Sequence, residues 1–450
     1  MLGMQAPNRG ADAGPVGEEA MRIEWVNHSS FVFDHDGIRI ISDPWLEGSA
    51  FMDGWSLLSP TVFSYEDFKN TTHIWFSHEH PDHFSPPNIQ KIEPQIRSAI
   101  KVLFQRTEDR KVVTFCEALG FKDVIEMSPA QWYPLSDDLR VMVVPNGRDS
   151  WMAIQTKSRL ILNLNDCGIT AKRLQAIRQL VGNVDVLLIQ FSYAQWEGNE
   201  QDVQAREQAA RRKLAAISTA VEALSPRWVI PSASYVWFSH QENYYFNDSV
   251  NRIDHVHRFI TDLGIEPLVL YPGEMWVIGE EHDSQLSVRK YLKDYTRVLE
   301  SPKLKSSVKV NLTDIHEAAN KYRARARGKL QLWELIFAGS MTVYLTDYEK
   351  AFTFSFLREM RETHKKADQC DITMSSEAWL YCLRFDWGFS SANVSGRFQQ
   401  GRAGGKFAFG KIRYRSELLN DSRRRSFIQA VTDKTRAVVA RYLPIASENR

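Results

Sequence analysis

The sequence has 450 residues, 43% hydrophobic and 25% charged, which suits about three folding units or one large domain with an appendage and excludes a disordered, collagenous or disulfide-scaffold chain. Its 56 Lys+Arg and 55 Asp+Glu leave a net charge of +1, so no bulk charge points to nucleic acid or to a membrane surface. That neutrality is cancellation: residues 301–450 carry 27 basic against 15 acidic side chains, and residues 1–300 carry 29 against 40.

In chain order, residues 1–20 have no continuous apolar run and no cleavage-site pattern, and read as a flexible tail. Short β-branched and aromatic runs follow: MRIEWV from Met21, SFVFD from Ser30, IRIIS from Ile38 and HIWFS from His73. RVMVV from Arg140, WMAIQ from Trp151, RLILNL from Arg159 and DVLLIQ from Asp185 repeat the pattern between Gly, Pro, Asn and Asp. Apolar spacing of the 3.6 type predicts helices over Pro87–Ile96, Thr170–Leu180, Asp202–Leu224 and Ser249–Leu263. Strands alternating with helices predict an α/β or α+β class with packed sheets. From Ser301 the chain turns basic, with KYRARARGK from Lys321 and Arg423–Arg425, and GRAGGKFAFG from Gly401 reads as a flexible loop or hairpin. The expected organisation is therefore a tail (1–20), a first domain (21–300) and a basic C-terminal subdomain (301–450). No apolar run is long enough for a bilayer span, and four scattered cysteines (Cys116, Cys167, Cys370, Cys382) form no disulfide framework and no CxxC clip. A reducing, cytoplasmic address is expected.

Of twelve histidines, His73, His78, His80 and His83 fall within eleven consecutive residues, where uniform scatter would place about 0.3. The run His78-Glu79-His80-Pro81-Asp82-His83 follows an apolar strand directly, so it occupies a loop at a sheet edge. His78 and His80, two apart on an extended segment, project to one side and can share a cation. Asp82 and His83, beyond the turn forced by Pro81, can reach a second.

This HxHxDH pattern resembles the metallo-β-lactamase superfamily, whose fold is an αββα sandwich. IRIISDPWL resembles the superfamily branch whose strands end in a DP motif, and there the Asp, here Asp43, supports the metal ligands from behind. The resemblance implies that Asp166, at the end of LILNLNDCG, bridges two metals. Where the superfamily has a third-motif histidine, the loop VPNGRDSW offers only Asp149, an oxygen donor that moves preference from zinc toward iron or manganese. The run RWVIPSASYVWFS leads to His240, the best remaining candidate for the final histidine. These features are most similar to the metal-binding portion of CMP-N-acetylneuraminate hydroxylases, over roughly residues 21–260. None of the four cysteines has a histidine two or three positions later, so no Rieske ligand set is present in this sequence.

Geometry and resemblance together assign His78, His80 and Asp149 to one metal, Asp82 and His83 with His240 as candidate to the other, and Asp166 between them; His28 and Asp43 are candidates to orient ligating imidazoles. The centre implied is a dinuclear iron site, with zinc or manganese as alternatives. The favoured activity is a dioxygen-dependent monooxygenase acting on a small polar, anionic or nucleotide-linked metabolite, with electrons from a separate ferredoxin-type protein. A dinuclear hydrolase of phosphodiester, lactone or amide bonds is the alternative, and a metal-stabilised binding protein the third reading. No membrane or nucleic-acid partner is expected, and a homo-oligomer stays open. His255 and His257 point to different helix faces, and Cys167 reads as a buried thiol. Tyr193, Tyr235, Tyr244 and Tyr245 fall in loops where packing or pocket lining are both open. Lys321, Arg323, Arg325, Arg327 and Arg423–Arg425 read either as solvated surface or as recognition of an anionic substrate or acidic donor.

Overall fold

Strand His73–Phe76 shows how the sequence builds layers: Trp75 points into one apolar cluster while Ile74 and Phe76 point into another, and on the neighbouring strand Leu103 alternates with Val102 and Phe104 in the same way. A strand apolar on both faces must be covered on both. The computed structural model describes residues 21–420; the expected tail and Arg423–Arg425 lie outside the described residues.

Two seven-stranded sheets form the centre. The first runs, in spatial order, Met275–Val277, Arg22–Asn27, Ser30–His35, Ile38–Ser42, His73–Phe76, Lys101–Gln105 and Asp123–Met127. The second runs Glu266–Pro267, Trp228–Ser232, Val186–Gln190, Leu160–Asn163, Asp149–Gln155, Arg140–Asn146 and Tyr133–Pro134. Each is antiparallel on one side and parallel on the other. Ile23, Trp25, Phe31, Phe33 and Trp75 of the first meet Val141, Met152, Ile154, Leu162 and Leu187 of the second in one buried core. The outer face of the second sheet is covered by helices Ala171–Val181, Val203–Leu224 and Ile253–Asp262 through Leu174, Ile177, Leu214, Ile217, Val256 and Ile260. Ile89, Ile96, Val112 and Val113 cover the first. This is the expected sandwich of two sheets between helices.

A third apolar cluster joins the parts. Ile315, Ala319 and Tyr322 of helix Leu312–Lys329 pack with Met341, Val343, Phe352 and Phe354 of a five-stranded sheet (order Arg361–Thr363, Lys350–Ser355, Ser340–Leu345, Ile372–Met374, Gln399–Gln400) and with Trp45, Phe51, Trp55, Trp196 and Phe238 from before residue 300. No helix among the described residues is long and apolar enough to cross a membrane.

Several expectations need correction. Pro87–Ile96 is two short helices, Pro86–Ile89 and Pro94–Arg97, because Glu93 precedes a proline and takes ψ 141. The helix expected from Ser249 begins at Ile253. The segment from Gly401 is a loop only as far as Gly404, and helix Gly405–Asn420 follows. Glycine is required at its start because a Cβ on Gly405 would overlap the Asp371 carbonyl. Finally, RWVIPSASYVWFS is not one strand: Ala233, at φ 49, separates Trp228–Ser232 of the large sheet from Val236–Phe238, which pairs with Trp55–Leu57 in a small separate sheet.

Within helix Leu312–Lys329 the basic run is spread around the axis. Lys321 pairs with Glu317, Arg325 with Asp386, and Arg323 is buried against Asn320 and the Leu357 carbonyl.

Candidate metal centre

Five loops at one edge of the sandwich deliver the ionisable groups. The first is the turn after strand Arg22–Asn27, where His28 adopts φ 47 and its carbonyl accepts from Ala233 N at 2.9 Å. Asp43, also left-handed at φ 39, follows strand Ile38–Ser42. His78, His80, Asp82 and His83 follow strand His73–Phe76. Asp149 opens the strand after a two-residue turn at Gly147-Arg148, and the adjacent Ser150 Oγ donates to the Ser77 carbonyl at 2.6 Å, tying the second sheet to the histidine loop. Asp166 follows strand Leu160–Asn163, in a turn held by Leu164 N to Leu188 O at 2.9 Å and Gln190 N to Asn165 O at 3.0 Å.

These side chains converge into three overlapping groups, each able to surround one ion: His78, His80 and Asp149; His78, His83 and Asp166; and His28, Asp82 and His83. His78 Nε2 lies 2.8 Å from His80 Nδ1 and 3.8 Å from an Asp149 oxygen. Asp82 Oδ2 lies 3.3 Å from both His28 Nε2 and His83 Nε2. Asp166 Oδ2 stands 3.8 Å from His78 Nε2 and 3.8 Å from His83 Nε2, between the outer groups. The donor set fits two cations: Asp82 Oδ1, Asp166 Oδ1 and His28 Nδ1 are buried without a hydrogen-bond partner among the described residues, a cost that a bound cation relieves for the carboxylates.

Of the residues expected here, His78, His80, Asp82, His83, Asp149 and Asp166 are brought together and His240 is not. The kink at Ala233 leads into strand Val236–Phe238, which pairs with Trp55–Leu57, and His240 lies just beyond it, bridged to Lys305. There its Nδ1 accepts from Glu242 N at 3.1 Å, and burial together with Arg397 pushes its pKa down to about 4. His28, expected only to support a ligand, instead stands with Asp82 and His83 in one of the three groups that could hold an ion.

Behind this cluster, Asp43 accepts from Ser77 N at 2.7 Å, Ser77 Oγ at 2.8 Å and Asn165 Nδ2 at 2.5 Å, and pairs with His83 Nδ1 at 3.0 Å. His78 Nδ1 lies 2.9 Å from Ser77 Oγ. In both rings Nδ1 is engaged and Nε2 is directed at the cluster, which fixes tautomer and orientation.

Burial dominates the titration. It lowers the pKa of His28, His78 and His80, leaving neutral imidazoles suited to ligation. For His83 burial is outweighed by Asp82, Asp166 and Asp43, and its pKa rises well above the usual value. Burial, then the charge of Asp166, raises Asp149 to about 6. A metal that takes up Asp149 and His83 Nε2 must displace a proton from each group that still holds one. Affinity is therefore expected to fall as pH drops, with the slope steepening by about tenfold per pH unit below pH 6, where Asp149 is protonated in the metal-free protein. Calorimetric metal titrations at pH 5 and 7.5 in buffers of different ionisation enthalpy count the protons; equal release at both pH values would remove Asp149.

Lys213 also faces the cluster and gave no signal in sequence. On helix Val203–Leu224 its ammonium donates to Gln190 Oε1; burial lowers its pKa against the opposing pull of Asp166, Glu197 and Asp149. Among the tyrosines, Tyr193 and Tyr235 are core, whereas Tyr244 and Tyr245 line a cleft of about 570 Å³ with Glu242, Arg397 and Phe398. Cys167 is a suppressed thiol, its pKa raised by burial and then by Asp166.

Residues 22–233 match the beta-lactamase superfamily domain. A Rieske 2Fe-2S iron-sulfur protein of Mycolicibacterium smegmatis is 23% identical over 245 residues, covering 51% of this chain and 46% of that protein. The cytidine monophosphate-N-acetylneuraminic acid hydroxylase of Mus musculus is 25% identical over 246 residues, covering 52% and 42% respectively. CmlA, a diiron β-hydroxylase from Streptomyces venezuelae, superposes with a TM-score of 0.42 at 17% identity, over 58% of this chain and 54% of that one. This chain thus spans less than half the length of these two curated relatives.

Proposed function

We propose that this chain, whose residues 22–233 form a β-lactamase superfamily domain, is a dinuclear non-haem iron oxygenase that hydroxylates a small polar substrate with electrons from a separate donor. The observation that carries the reading is the donor set: two N/O triads, His78/His80/Asp149 and His28/Asp82/His83, on either side of Asp166. In this assignment His28 takes the place that the sequence offered to His240. Three carboxylates among the ligands and no thiolate make the centre harder than an imidazole-rich zinc site. The hydroxylase relatives support the same direction.

A bound iron pair supplies the redox chemistry for dioxygen. The protein's part would be to hold that pair: Asp43 keeps the His83 proton on Nδ1, and Ser77 engages His78 Nδ1, leaving both Nε2 atoms free to ligate. Lys213 supports an anionic substrate, because among the described residues its ammonium has one hydrogen-bond partner, Gln190, and it stands in the field of Asp166 and Asp149. Hydroxylation places one oxygen atom of dioxygen in a C–H bond and releases the other as water, which consumes two electrons and two protons beyond the substrate. This sequence holds no Cys/His set for an iron–sulfur cluster, so those electrons come from a group outside these 450 residues.

Metal analysis and optical spectroscopy of aerobically purified protein test the reading. About two irons per chain with an oxo-bridged diferric absorption are expected; two zincs together with reductant-free turnover of a generic phosphodiester would establish a hydrolase instead. Asp149→His should leave the fold intact and move preference toward zinc when the protein is reconstituted from equimolar iron and zinc. Unchanged iron retention in that variant removes Asp149 from the ligands.

A further inference from the structure

Phe51, Met52 and Asp53 are three consecutive non-glycine residues in the left-handed region, at φ 50, 60 and 59. L side chains resist this conformation, and a run of three persists only where the surroundings hold it. The turn is closed by Gly54 N donating to the Phe51 carbonyl at 3.0 Å. Gly54 is wedged, since a Cβ there would lie 2.7 Å from the Ser395 side chain, and its carbonyl accepts from Ser239 N and Asn243 Nδ2, each at 2.9 Å. The Asp53 carboxylate accepts from Lys305 Nζ at 2.5 Å. At the centre of the strained run, the Met52 carbonyl accepts from the guanidinium of Arg397.

Arg397 lies between helix Gly388–Ser395 and strand Gln399–Gln400, and it is itself fully buried. It is held by Glu242 at 2.6 Å and by Glu377 and Ser307 at 2.9 Å each. On its other side the turn meets the metal centre: the Phe51 ring stands edge-on to His80, with centroids 5.7 Å apart and planes at 74°. His80 differs from its neighbours. His78 and His83 have Nδ1 partners that fix their rings, whereas the one hydrogen-bond partner of the His80 ring among the described residues is His78 itself. Besides His78, Phe51 is the ring packed against His80 among the described residues, and it is the one that lies outside the candidate ligand set.

We propose that Arg397 is a positioning residue for the metal centre, keeping the Phe51–Asp53 turn left-handed through the Met52 carbonyl and thereby holding Phe51 against the His80 ring. The inference rests on the reading of His80 as a ligand. It links the C-terminal part of the chain to a centre whose ligands all precede residue 167.

Cobalt(II), whose visible spectrum reports coordination geometry, is the probe. Arg397→Met is expected to weaken one of two cobalt sites about tenfold and to change its spectrum, the other site being unaffected. Met52→Gly in the Arg397→Met background should recover most of that loss, because glycine takes the left-handed conformation without a clamp. Phe51→Ala, with Arg397 intact, should reproduce the cobalt change. Wild-type cobalt affinity and spectrum in Phe51→Ala overturn the proposal even if Arg397→Met does not fold. A loss in Arg397→Met that Met52→Gly leaves uncorrected overturns it too, assigning Arg397 a purely structural role. His80→Ala is the control: two unaltered cobalt sites there would refute the ligand reading itself, whereas loss of one site in His80→Ala beside an unaffected Phe51→Ala refutes only this inference.

Discussion

Asp166→Asn is expected to abolish binding of the metal pair while leaving the fold in place. Oδ2 of Asp166 is equidistant, at 3.8 Å, from the Nε2 atoms of His78 and His83, which belong to the two outer groups. Among the described residues the carboxylate makes no hydrogen bond, its nearest ring nitrogens standing at 3.8 Å, and Oδ1 is buried without a partner. The turn that carries it is held by backbone bonds to Leu188 and Gln190 and by Asn165, none of which involves the Asp166 side chain. The amide therefore removes a shared anionic ligand and little else. Loss of a partner behind a ligand costs 10–100-fold in metal affinity, and loss of a ligand common to both ions should exceed about 100-fold at each.

The same substitution separates metal from fold. Metal held at 100 times its dissociation constant stabilises the folded chain by about 2.7 kcal/mol per site. Wild-type protein should therefore melt at a lower temperature after chelation, and Asp166→Asn should melt at one temperature with or without chelator. Retention of two ions per chain by elemental analysis would show that Asp166 is not shared.

Why some of this was legible in the sequence and some was not follows from how each residue reaches the site. His78, His80, Asp82 and His83 are local: their spacing, the strand before them and the turn at Pro81 fix which side chains can converge. Asp43 and Asp166 each close a strand whose apolar run is plain, so their place at the sheet edge could be read as well. His28 was visible as a polar residue in a hairpin, but its approach to Asp82, 54 residues away, depends on a left-handed turn and on a backbone bond to Ala233. Ala233 is also where the reading of His240 failed. Pro231 and the serines beside it are break signals in RWVIPSASYVWFS, but Pro231 lies inside strand Trp228–Ser232 and alanine carries no turn preference, so nothing marks Ala233 itself; its left-handed kink is set by the opposing hairpin, a tertiary effect. Lys213 stayed hidden for another reason. A lysine among REQAARRKLAA reads as one more solvated helix residue until the helix is docked and its ammonium turns inward. The arginine of the left-handed clamp lies more than 340 residues from the carbonyl it holds, beyond any local pattern.

Asp43→Ala should be among the most destabilising single changes in the chain and should also weaken the metal centre. Asp43 is fully buried, and it is the common acceptor for Ser77 N, Ser77 Oγ, Asn165 Nδ2 and the Nδ1 proton of His83. Alanine leaves these donors without an acceptor in a site that water does not reach, at about 1–3 kcal/mol for each one that stays unpaired. In the metal-free protein His83 is held protonated by Asp82, Asp166 and Asp43 against the effect of burial, so removing one member of that group falls in the class of broken buried pairs, about 3–5 kcal/mol in total. Asp43→Asn isolates the effect on the metal. If its amide nitrogen replaces Oδ1 it faces the Ser77 N–H; if it replaces Oδ2 it faces Asn165 and drives the His83 proton onto Nε2, the atom aimed at the metals. Either placement sets a donor against a donor. The expected result is a loss of about 3–5 kcal/mol in urea unfolding for Asp43→Ala. For Asp43→Asn a smaller stability loss should accompany metal affinity reduced 10–100-fold. Wild-type metal affinity in Asp43→Asn would mean that His83 does not depend on Asp43 for its tautomer, and the orientation of that imidazole would have to come from Asp82 and the packing around it.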